Sequence, residues 1–389
     1  MKKLCVVTGT RAEYGLLKPL IDKIDKDVDF QLQLVVTGMH LLPEFGLTYQ
    51  IIEQDGYVIN EKIEILLGTD TPTGITKAMG LALIGFGEAF ARLSPDYILI
   101  LGDRFEMLSV AIAAGISRIP LIHLHGGETT EGVVDEAMRH SITKHALLHF
   151  VSTEEYRKRV IQLGEHPERV FNVGAIGVEN IKEIPLLSRK ELENSIGFNM
   201  DGDYAVCTFH PVTLETSTSK QQVSALLSAL DRFPNLKVIF TKANADTDGR
   251  VVNEVLENYT KQHSERAMLF ASLGQVRYLS TLKYCVLVIG NSSSGIIEAP
   301  SFHVPTINIG DRQKGRVQAK SVLNCQPMEE DIVSAIAKGL SEEFRNGIEN
   351  SKNPYGEGNT SDKIFRKLKL LAAEGSSIKK QFYDVDFEL

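Results

Sequence analysis

Paired or clustered cysteines are absent from this sequence. Its cysteines, Cys5, Cys207, Cys285 and Cys325, lie far apart and show no Cys-x-x-Cys spacing. The first three fall in apolar, strand-like runs, which favours reduced thiols in a hydrophobic core over disulfides or a zinc site. We therefore expect no redox chemistry from them.

A long basic run is also absent. The formal net charge is −8, with 50 Asp and Glu residues against 42 Lys and Arg residues. A nucleic acid or an anionic membrane needs a basic surface, so neither partner is expected. Small molecules are the expected ligands.

No apolar run approaches the ~20 residues that a membrane-spanning helix needs. The apolar residues 4–7 after Met1-Lys2-Lys3 are too few for the core of a signal peptide, and Arg11 and Glu13 follow at once. We expect a cytoplasmic protein that does not contact a membrane.

The first glycine turn lacks a dinucleotide fingerprint. Residues 4–8 predict a buried strand, and the turn at residues 9–15 leads into a helix without the Gly-x-Gly-x-x-Gly pattern. NAD is therefore unsupported. Arg11 at the helix start suits a phosphate or a base, but an ordinary surface arginine explains it equally well.

What the sequence does contain is a βαβ unit between residues 97 and 149. A strand (97–101), a helix (105–116) and a second strand from Pro120 are followed by a glycine turn and a helix start. In parallel sheets, ligands bind outside the carboxyl ends of the strands. We expect Asp103, Glu128 and the Asp135/Glu136 pair to face one crevice.

Two series of alternating strands and helices flank a mixed-charge stretch at residues 174–200. Further strands are predicted at 31–37, 150–153, 169–173, 204–209, 236–241, 267–270 and 286–289, and a helix at 43–54. The fold class is α/β, with two Rossmann-like doubly wound domains facing a central cleft. We assign residues 1–175 to the first domain and 176–361 to the second. The closing amphipathic segment, about 362–389, is expected to pack back on the first domain.

The second predicted domain places polar residues at three strand ends. Pro211 prevents a helix from starting directly after the strand, so His210 is expected to stay at the strand's carboxyl end. A purely structural histidine is the alternative. Residues 290–298 form a hydroxyl-rich turn that opens a helix, which favours a bound anion over a merely serine-capped helix. The third strand end, residues 242–249, holds Asn244 and Asp246. In the first domain, loop 66–74 suits either a lid or a connector.

A metal site is the alternative interpretation of His123 and His125. Two residues apart on a predicted strand, both rings would point to one face, as metal ligands do. Glu128, His140 and His145 lie nearby in sequence. No Glu-x-x-His helix or other standard ligand spacing completes the set, so no metal is expected.

The turns follow one another in a recognisable order. The motifs are Gly9-Thr10-Arg11-Ala12-Glu13-Tyr14, Gly102-Asp103-Arg104, His125-Gly126-Gly127-Glu128, Asp135-Glu136 through Arg139 to Lys144, His210-Pro211-Val212-Thr213, Gly290-Asn291-Ser292-Ser293 and Gly310-Asp311-Arg312-Gln313-Lys314-Gly315-Arg316. Together they resemble the hydrolysing UDP-N-acetylglucosamine 2-epimerases of bacterial sialic acid (capsule) synthesis. The resemblance spans residues 1 to about 320.

The resemblance implies a glycosyltransferase-B fold and release of UDP and N-acetylmannosamine from UDP-N-acetylglucosamine, without NAD or another cofactor. It implies substrate-binding or UDP-binding roles for Arg11, Arg104, Arg139, His210, Ser292, Ser293, Glu298 and Arg312. It implies catalytic roles for Asp103, His125, Glu128, Asp135 and His210. A homo-oligomer, dimer or tetramer, is expected.

One departure from the family pattern concerns a catalytic residue. Many relatives read His-Ile-Glu-Gly-Gly-Glu where this chain reads His123-Leu124-His125-Gly126-Gly127-Glu128. Either His125 or Glu128 then takes the acid/base role. A sister branch acts on UDP-diacetylbacillosamine on the way to legionaminic acid, so that sugar is the alternative substrate. A glycosyltransferase and a non-catalytic nucleotide-sugar sensor are the alternatives of other classes.

Overall fold

The computed structural model describes residues 1–66, 71–131, 134–212, 218–243, 249–374 and 378–386. The chain forms two compact units. The first comprises Met1–Glu128, Asp135–Asn180 and Gly358–Leu389, and the second comprises Thr129–Val134 and Ile181–Glu357.

The segment Thr129–Val134 differs from the sequence-based assignment, which placed all of residues 1–175 in the first domain and ended the second at residue 361. This segment belongs to the second unit. The backbone N–H of Glu131 donates to the carbonyl of Lys314 at 3.2 Å, and the Lys314 ammonium lies 3.3 Å from the Glu131 carboxylate. Such long-range pairing is not visible in a local sequence pattern.

The first unit is built on a seven-stranded parallel sheet in the order β3-β2-β1-β4-β5-β6-β7. Its strands are β1 (Lys2–Thr8), β2 (Phe30–Thr37), β3 (Ile59–Ile63), β4 (Tyr97–Leu101), β5 (Leu121–Leu124), β6 (Leu148–Val151) and β7 (Val170–Asn172). Strand β4 is buried along its whole length, because a parallel sheet is covered on both faces. Edge strand β3 reads INEKI and was missed, since its polar residues hide it from a search for apolar runs.

Helices cover both faces of this sheet. They are α1 (Arg11–Asp25), α2 (Tyr49–Gln54), α3 (Pro72–Leu93), α4 (Phe105–Ile116), α5 (Asp135–His145), α6 (Glu154–Gln162) and α7 (Ile176–Glu183), with α15 (Thr360–Glu374) at the end of the chain. The predicted helix at 43–54 is wrong in its first half. A 3-10 turn, Pro43–Phe45, stands there, and left-handed backbone at Gly46 and Leu47 separates it from α2.

The second unit is built on a six-stranded parallel sheet in the order β10-β9-β8-β11-β12-β13. Its strands are β8 (Tyr204–Thr208), β9 (Lys237–Thr241), β10 (Ala267–Phe270), β11 (Leu287–Gly290), β12 (Thr306–Ile309) and β13 (Val322–Cys325). Its helices are α8 (Arg189–Ile196), α9 (Ser219–Asp231), α10 (Gly249–Gln262), α11 (Gly274–Tyr284), α12 (Ser293–Ile297), α13 (Glu329–Leu340) and α14 (Glu342–Ile348). Both units therefore have the doubly wound arrangement that the sequence predicts.

Alternate side chains of each strand enter opposite core layers. In β1, Leu4 and Val6 join the layer under α1 and α15, whereas Cys5 and Val7 join the layer under α3 and α4. All four cysteines are free thiols, and Cys5, Cys207 and Cys285 are buried. Burial raises the pKa of the Cys5 thiol to about 12, which disfavours its reactive thiolate form. The predicted burial of the first three cysteines is confirmed, and the absence of redox chemistry stays a prediction.

Helix α3 is long and apolar enough to cross a membrane by length and composition alone, although the charged residues Lys77 and Glu88 interrupt its apolar residues. In the structure, its Ala82, Phe86 and Ala89 side chains are buried in the core layer that also holds α4. A core helix meets the same criteria of length and composition, so α3 is weak evidence for a membrane.

Helix α15 returns to the first unit. Ile364 and Leu368 are fully buried in the core under α1, and the rings of Phe30 and Phe365 lie 6.1 Å apart. The Lys369 ammonium contacts the Asp27 carboxylate at 2.8 Å. The last segment of the chain is therefore part of the first unit's core and surface.

Candidate active site

Polar turns of the first unit lie at the carboxyl ends of its strands. Strands β1 and β4 are neighbours although a long stretch of chain separates them, so the direction in which strands are added to the sheet reverses between them. Ligands of doubly wound sheets bind at this switch point. The turns after β1, β4 and β5 carry Arg11, Asp103 and His125, respectively.

Arg139 on α5 gathers the carboxylates of this edge. Its Nε donates to Asp103 Oδ2 at 2.8 Å, and its Nη1 donates to Glu136 Oε2 at 2.7 Å and to the carbonyl of Glu128 at 2.8 Å. A buried guanidinium needs such compensation. The structure thus brings together Asp103, Glu136 and the backbone of Glu128.

Arg139 is predicted to bind the substrate or UDP. Its side chain is only 1% exposed, and its acceptors include the Asp103 and Glu136 carboxylates and the Glu128 carbonyl. In the structure it organises these carboxylates, and its role towards the substrate or UDP stays a prediction. Its own helix, α5, starts at the half-buried Asp135, which lies one turn before Arg139 on the same helix.

His125 and Glu128 form a close pair. His125 Nδ1 lies 3.2 Å from Glu128 Oε1, and the Ser152 hydroxyl donates to the same oxygen at 3.0 Å. The backbone N–H of Ile176 donates to His125 Nε2 at 3.4 Å. Because Nε2 accepts, a neutral ring carries its proton on Nδ1, the nitrogen that faces Glu128. The two candidates for the acid/base role therefore lie side by side in the structure.

His123 and His125, the pair behind the metal alternative, do not continue one strand. Strand β5 ends at Leu124, and His125 has a left-handed φ of 67°, so the two rings do not share a strand face. His123 is buried and its Nε2 donates to the carbonyl of Gly102 at 2.8 Å. Burial lowers the pKa of His123 to about 3. Within the described part of the chain, no three His, Cys, Asp or Glu side chains are grouped to hold a metal ion.

Two glutamates at the switch point were missed as site residues. Glu106 is buried and accepts from Arg104 Nε at 2.8 Å, and Glu13 accepts from the backbone N–H of Gly9 at 2.7 Å. A Cβ on Gly9 would lie 2.8 Å from Glu106 Oε1, so the turn needs glycine for space. Burial and the charge of Glu106 raise the pKa of Glu13 to about 8. The available sequence signal was Glu106, an acidic residue in an otherwise apolar helix.

In the second unit, Asn291 joins three turns at the carboxyl edge. The backbone N–H of His210 donates to Asn291 Oδ1 at 2.7 Å, and Asn291 Nδ2 donates to the carbonyl of His210 at 2.8 Å. Arg312 Nη1 and Gln313 Nε2 both donate to the carbonyl of Asn291, at 3.0 and 2.9 Å. Strands β8 and β11 are neighbours at the switch point of this sheet. Burial, together with Arg312, lowers the pKa of His210 well below its usual range, so the ring is neutral.

The serine turn after β11 opens helix α12. Gly290 has a φ of 126°, and a Cβ there would collide with the Thr208 carbonyl. Ser292 caps the helix by accepting from the Ser294 N–H at 3.4 Å, which leaves its hydroxyl proton able to donate elsewhere. Ser293 is the first helical residue and Glu298 ends the helix half-buried.

Several predicted residues lie outside the described residues. These are the centre of loop 66–74, Thr213 of the His210 motif, and Asn244 and Asp246. Among the described residues, those of the first unit cluster at the β1, β4 and β5 strand ends. Those of the second cluster at the β8, β11 and β12 ends.

Comparison with known proteins identifies the family. A protein-family model described as UDP-N-acetylglucosamine 2-epimerase matches residues 22–369. The chain belongs to this family. It is 46% identical over 344 residues, 88% of this chain and 89% of the relative, to a GDP/UDP-N,N'-diacetylbacillosamine 2-epimerase (hydrolyzing) of Campylobacter jejuni. It is 43% identical over 386 residues, 99% of this chain and 98% of the relative, to the polysialic acid biosynthesis protein P7 of Escherichia coli.

Solved structures confirm the predicted fold. The crystal structure of UDP-GlcNAc 2-epimerase from Neisseria meningitidis bound to UDP-GlcNAc matches with a TM-score of 0.79, covering 95% of this chain and 100% of that one. At 17% identity this similarity shows the fold alone. The epimerase thus has two parallel-sheet α/β domains of the glycosyltransferase-B type, and it is an enzyme of the UDP-sugar 2-epimerase family.

Proposed function

We propose that this epimerase converts UDP-N-acetylglucosamine and water to N-acetylmannosamine and UDP, a step toward sialic acid. The observation that carries the proposal is the set of ionisable groups at the carboxyl edge of the first sheet. Asp103 and Glu136 are held by Arg139, and His125 is paired with Glu128. The name of the Escherichia coli relative, a polysialic acid biosynthesis protein, supports the sialic acid assignment.

The proposed reaction has two steps that conserve atoms and electrons. A base takes the C2 proton, the C–H electrons form a C1=C2 double bond, and UDP leaves with the electron pair of the C1–O bond. Water then adds its hydroxyl to C1, and a proton reaches C2 from the opposite face, which gives the manno configuration. No net oxidation occurs, so the reaction needs no redox cofactor.

In the first unit, acid/base groups are required at two steps. We assign proton transfer at carbon to Asp103 and His125. Glu128 is 3% exposed and lies 3.2 Å from His125 Nδ1, so we assign it to orient the imidazole and stabilise its charged form. Asp135 supplies a further carboxylate for the addition of water. Arg11 and Arg104 supply positive charge for the diphosphate.

In the second unit, the uridine diphosphate is assigned to the β8 and β11 strand ends. Arg312 supplies a permanent positive charge, and Ser292, Ser293 and the first amides of α12 supply hydrogen-bond donors. The neutral His210 can donate one proton to a phosphate oxygen without a charge of its own. Glu298 is assigned to the nucleoside as a hydrogen-bond acceptor.

A second candidate substrate is UDP-N,N'-diacetylbacillosamine, on the way to legionaminic acid. The Campylobacter jejuni relative, at 46% identity, is named for that sugar. Both substrates require the same elimination and hydration. They differ in the substituents of the sugar ring, so the same catalytic groups serve either one.

The deciding experiment is an assay of UDP release from each sugar nucleotide without an acceptor, in D₂O. A hydrolysing epimerase releases UDP steadily and places deuterium at C2 of a free sugar of inverted configuration. The larger kcat/KM identifies the substrate. Asp103→Asn should slow both signals by at least ~10²-fold, with UDP affinity less affected.

Three other outcomes would contradict the proposal. A product still linked to UDP would indicate a non-hydrolysing epimerase, and a free sugar of unchanged configuration with hydrogen at C2 would indicate simple hydrolysis. Turnover only after an acceptor is added would indicate a glycosyltransferase. The cytoplasmic location, the absence of nucleic-acid and membrane partners, and the homo-oligomer, dimer or tetramer, stay predictions.

A further inference from the structure

The C-terminal segment 378–386 lies against the first unit at the end of α5 that is remote from the carboxylates. The backbone N–H of Tyr383 donates to the carbonyl of Gly164 at 2.9 Å, and the rings of Tyr383 and His166 meet edge to face at 5.4 Å. Phe382 lies so close to Gly164 that a side chain there would collide with its ring. These contacts give the segment a defined path across the unit.

Lys380 caps the last turn of α5. Its ammonium donates to the carbonyl of Ala146 at 2.7 Å and to the carbonyl of Lys144 at 2.9 Å. The last carbonyls of a helix have no partners within the helix and carry partial negative charge. A cation at this position therefore satisfies two carbonyl oxygens at the C-terminal end of α5 and complements the helix dipole.

The same ammonium pairs with a buried carboxylate. Glu165 has no exposed surface, and Lys380 and Lys144 each lie 2.6 Å from its oxygens, with His149 Nε2 at 3.1 Å. Although burial opposes ionisation, the hydrogen bonds from His149 and the two lysines lower the pKa of Glu165 to about 2. Removing one cation would leave a buried charge undercompensated.

This cluster reaches the candidate active site by two routes. Helix α5 begins at Asp135 and presents Arg139 to Asp103, so holding its C-terminal end limits movement of Arg139. In the sheet, His149 is the register partner of His123, whose Nε2 holds the carbonyl of Gly102, directly before Asp103. Both routes end at Asp103.

We propose that Lys380 is a positioning residue for catalysis. By binding the C-terminal segment to α5 and Glu165, it keeps Arg139 within hydrogen-bond distance of Asp103. This inference rests on the proposed function of the same carboxylates. Small displacements of groups that move protons cost large factors in rate. The affinity for UDP should change much less, because Arg312, Ser292 and Ser293 of the second unit are proposed to supply most of its contacts.

The test compares Lys380→Met with Lys379→Met in the full chain. Lys379 is the neighbouring lysine, and its side chain is exposed, which makes it the matched control. We expect Lys380→Met to lower kcat for UDP release by about 10-fold or more, with the dissociation constant of UDP changed less than 2-fold. Lys380→Arg should keep most of the wild-type kcat, and Lys379→Met should behave as the wild type.

A second readout does not depend on activity. Hydrogen exchange of α5 amides, measured by mass spectrometry, should become faster in Lys380→Met and stay unchanged in Lys379→Met. If wild-type protein releases no UDP from either sugar, the proposed function fails, while this readout still tests whether Lys380 holds α5.

The proposal is overturned by a folded Lys380→Met protein with wild-type kcat, or by unchanged α5 exchange. It is also overturned if rate and UDP binding fall together with the folded fraction, since that marks a general structural role. Should Lys380→Met fail to fold, Lys380→Gln keeps amide donors for the carbonyls and is measured in the same way, with the same outcomes decisive.

Discussion

At the scale of single residues, His125 and Glu128 are the two candidates for one acid/base role, and His125 Nδ1 lies 3.2 Å from Glu128 Oε1. The imidazole is the more exposed partner, with 14% of its side chain exposed against 4% for Glu128. The carboxylate is also occupied by the Ser152 hydroxyl. This arrangement favours His125 as the group that exchanges a proton with substrate and Glu128 as the group that orients it.

A pair of variants tests that division. His125→Ala should lower kcat by roughly 10²–10⁴-fold, the usual contribution of a general acid or base, and Glu128→Gln should lower it less because the amide oxygen still accepts from Nδ1. Steady-state assays of UDP release measure both. A larger loss for Glu128→Gln than for His125→Ala would transfer the acid/base role to Glu128.

Arg312 tests the assignment of the diphosphate to the second unit. Arg312→Ala should weaken UDP binding by about 1.5–3 kcal/mol, the range for a hydrogen bond to a charged group. Isothermal titration calorimetry measures the change, with the exposed Lys338→Ala of the same unit as control. An unchanged dissociation constant for Arg312→Ala would remove this residue from the phosphate site.

Glu13 makes a prediction about pH. Burial and the charge of Glu106 raise its pKa from 4.5 to about 8, so the folded state keeps a proton that the unfolded chain releases. The resulting stabilisation is complete below pH ~4.5 and is lost as the pH rises towards 8. Relative to Glu13→Gln, the wild type should therefore lose free energy of unfolding between pH 5 and 8.

Urea unfolding at several pH values measures this difference. The amide of Glu13→Gln keeps an oxygen for the Gly9 N–H, which the carboxylate accepts at 2.7 Å, so the variant isolates the charge. A difference in stability that is independent of pH would show that Glu13 titrates normally.

At the scale of elements, the turn between β11 and α12 depends on Gly290. Its φ of 126° and the nearby Thr208 carbonyl each oppose a side chain. Gly290→Ala should destabilise the protein by more than ~2 kcal/mol and weaken UDP binding, because β8, β11 and the serine turn must separate.

Gly56→Ala is the matched control for that variant. Gly56 also has a positive φ, 92°, but no atom lies within 4 Å of its added Cβ. Gly56→Ala should lower the free energy of unfolding only by the cost of placing alanine in a left-handed backbone conformation, about 1–2 kcal/mol. Equal losses for the two variants in thermal or urea unfolding would show that the contact with Thr208 is unimportant.

The elements that could be predicted are those buried on both faces. Strand β4 reads YILIL and is visible as an apolar run, whereas β3 and β13 carry polar residues on exposed positions and were missed. The helix predicted over 43–54 is wrong in its first half because left-handed backbone at Gly46 and Leu47 interrupts it, and backbone conformation there overrides apolar spacing.

At the scale of the whole molecule, the proposed chemistry predicts activity without a resident metal. Elimination and hydration use side-chain acids, bases and cations, and His123 and His125 do not form a shared ligand face. Activity should survive prolonged chelation, apart from a modest effect of divalent ions on the substrate diphosphate. Complete loss with chelator, restored by zinc, would contradict this prediction.

The sequence by itself determined the two α/β series, the strand-end positions of Asp103, His125, His210 and Arg312, and membership of the epimerase family. Those features are local, since burial makes strands apolar and tight turns demand glycine and polar residues at fixed spacing. A resemblance built from ordered motifs needs no knowledge of which side chains touch.

Only the tertiary structure decided which partner each group has. Arg139 joins Asp103 to Glu136, Glu106 holds Arg104, and Lys380 reaches Glu165 from the far end of the chain. Such pairings depend on where strands and helices meet in space, and burial then sets charge and proton position. That is why the sequence alone did not show that Arg139 holds Asp103 and Glu136.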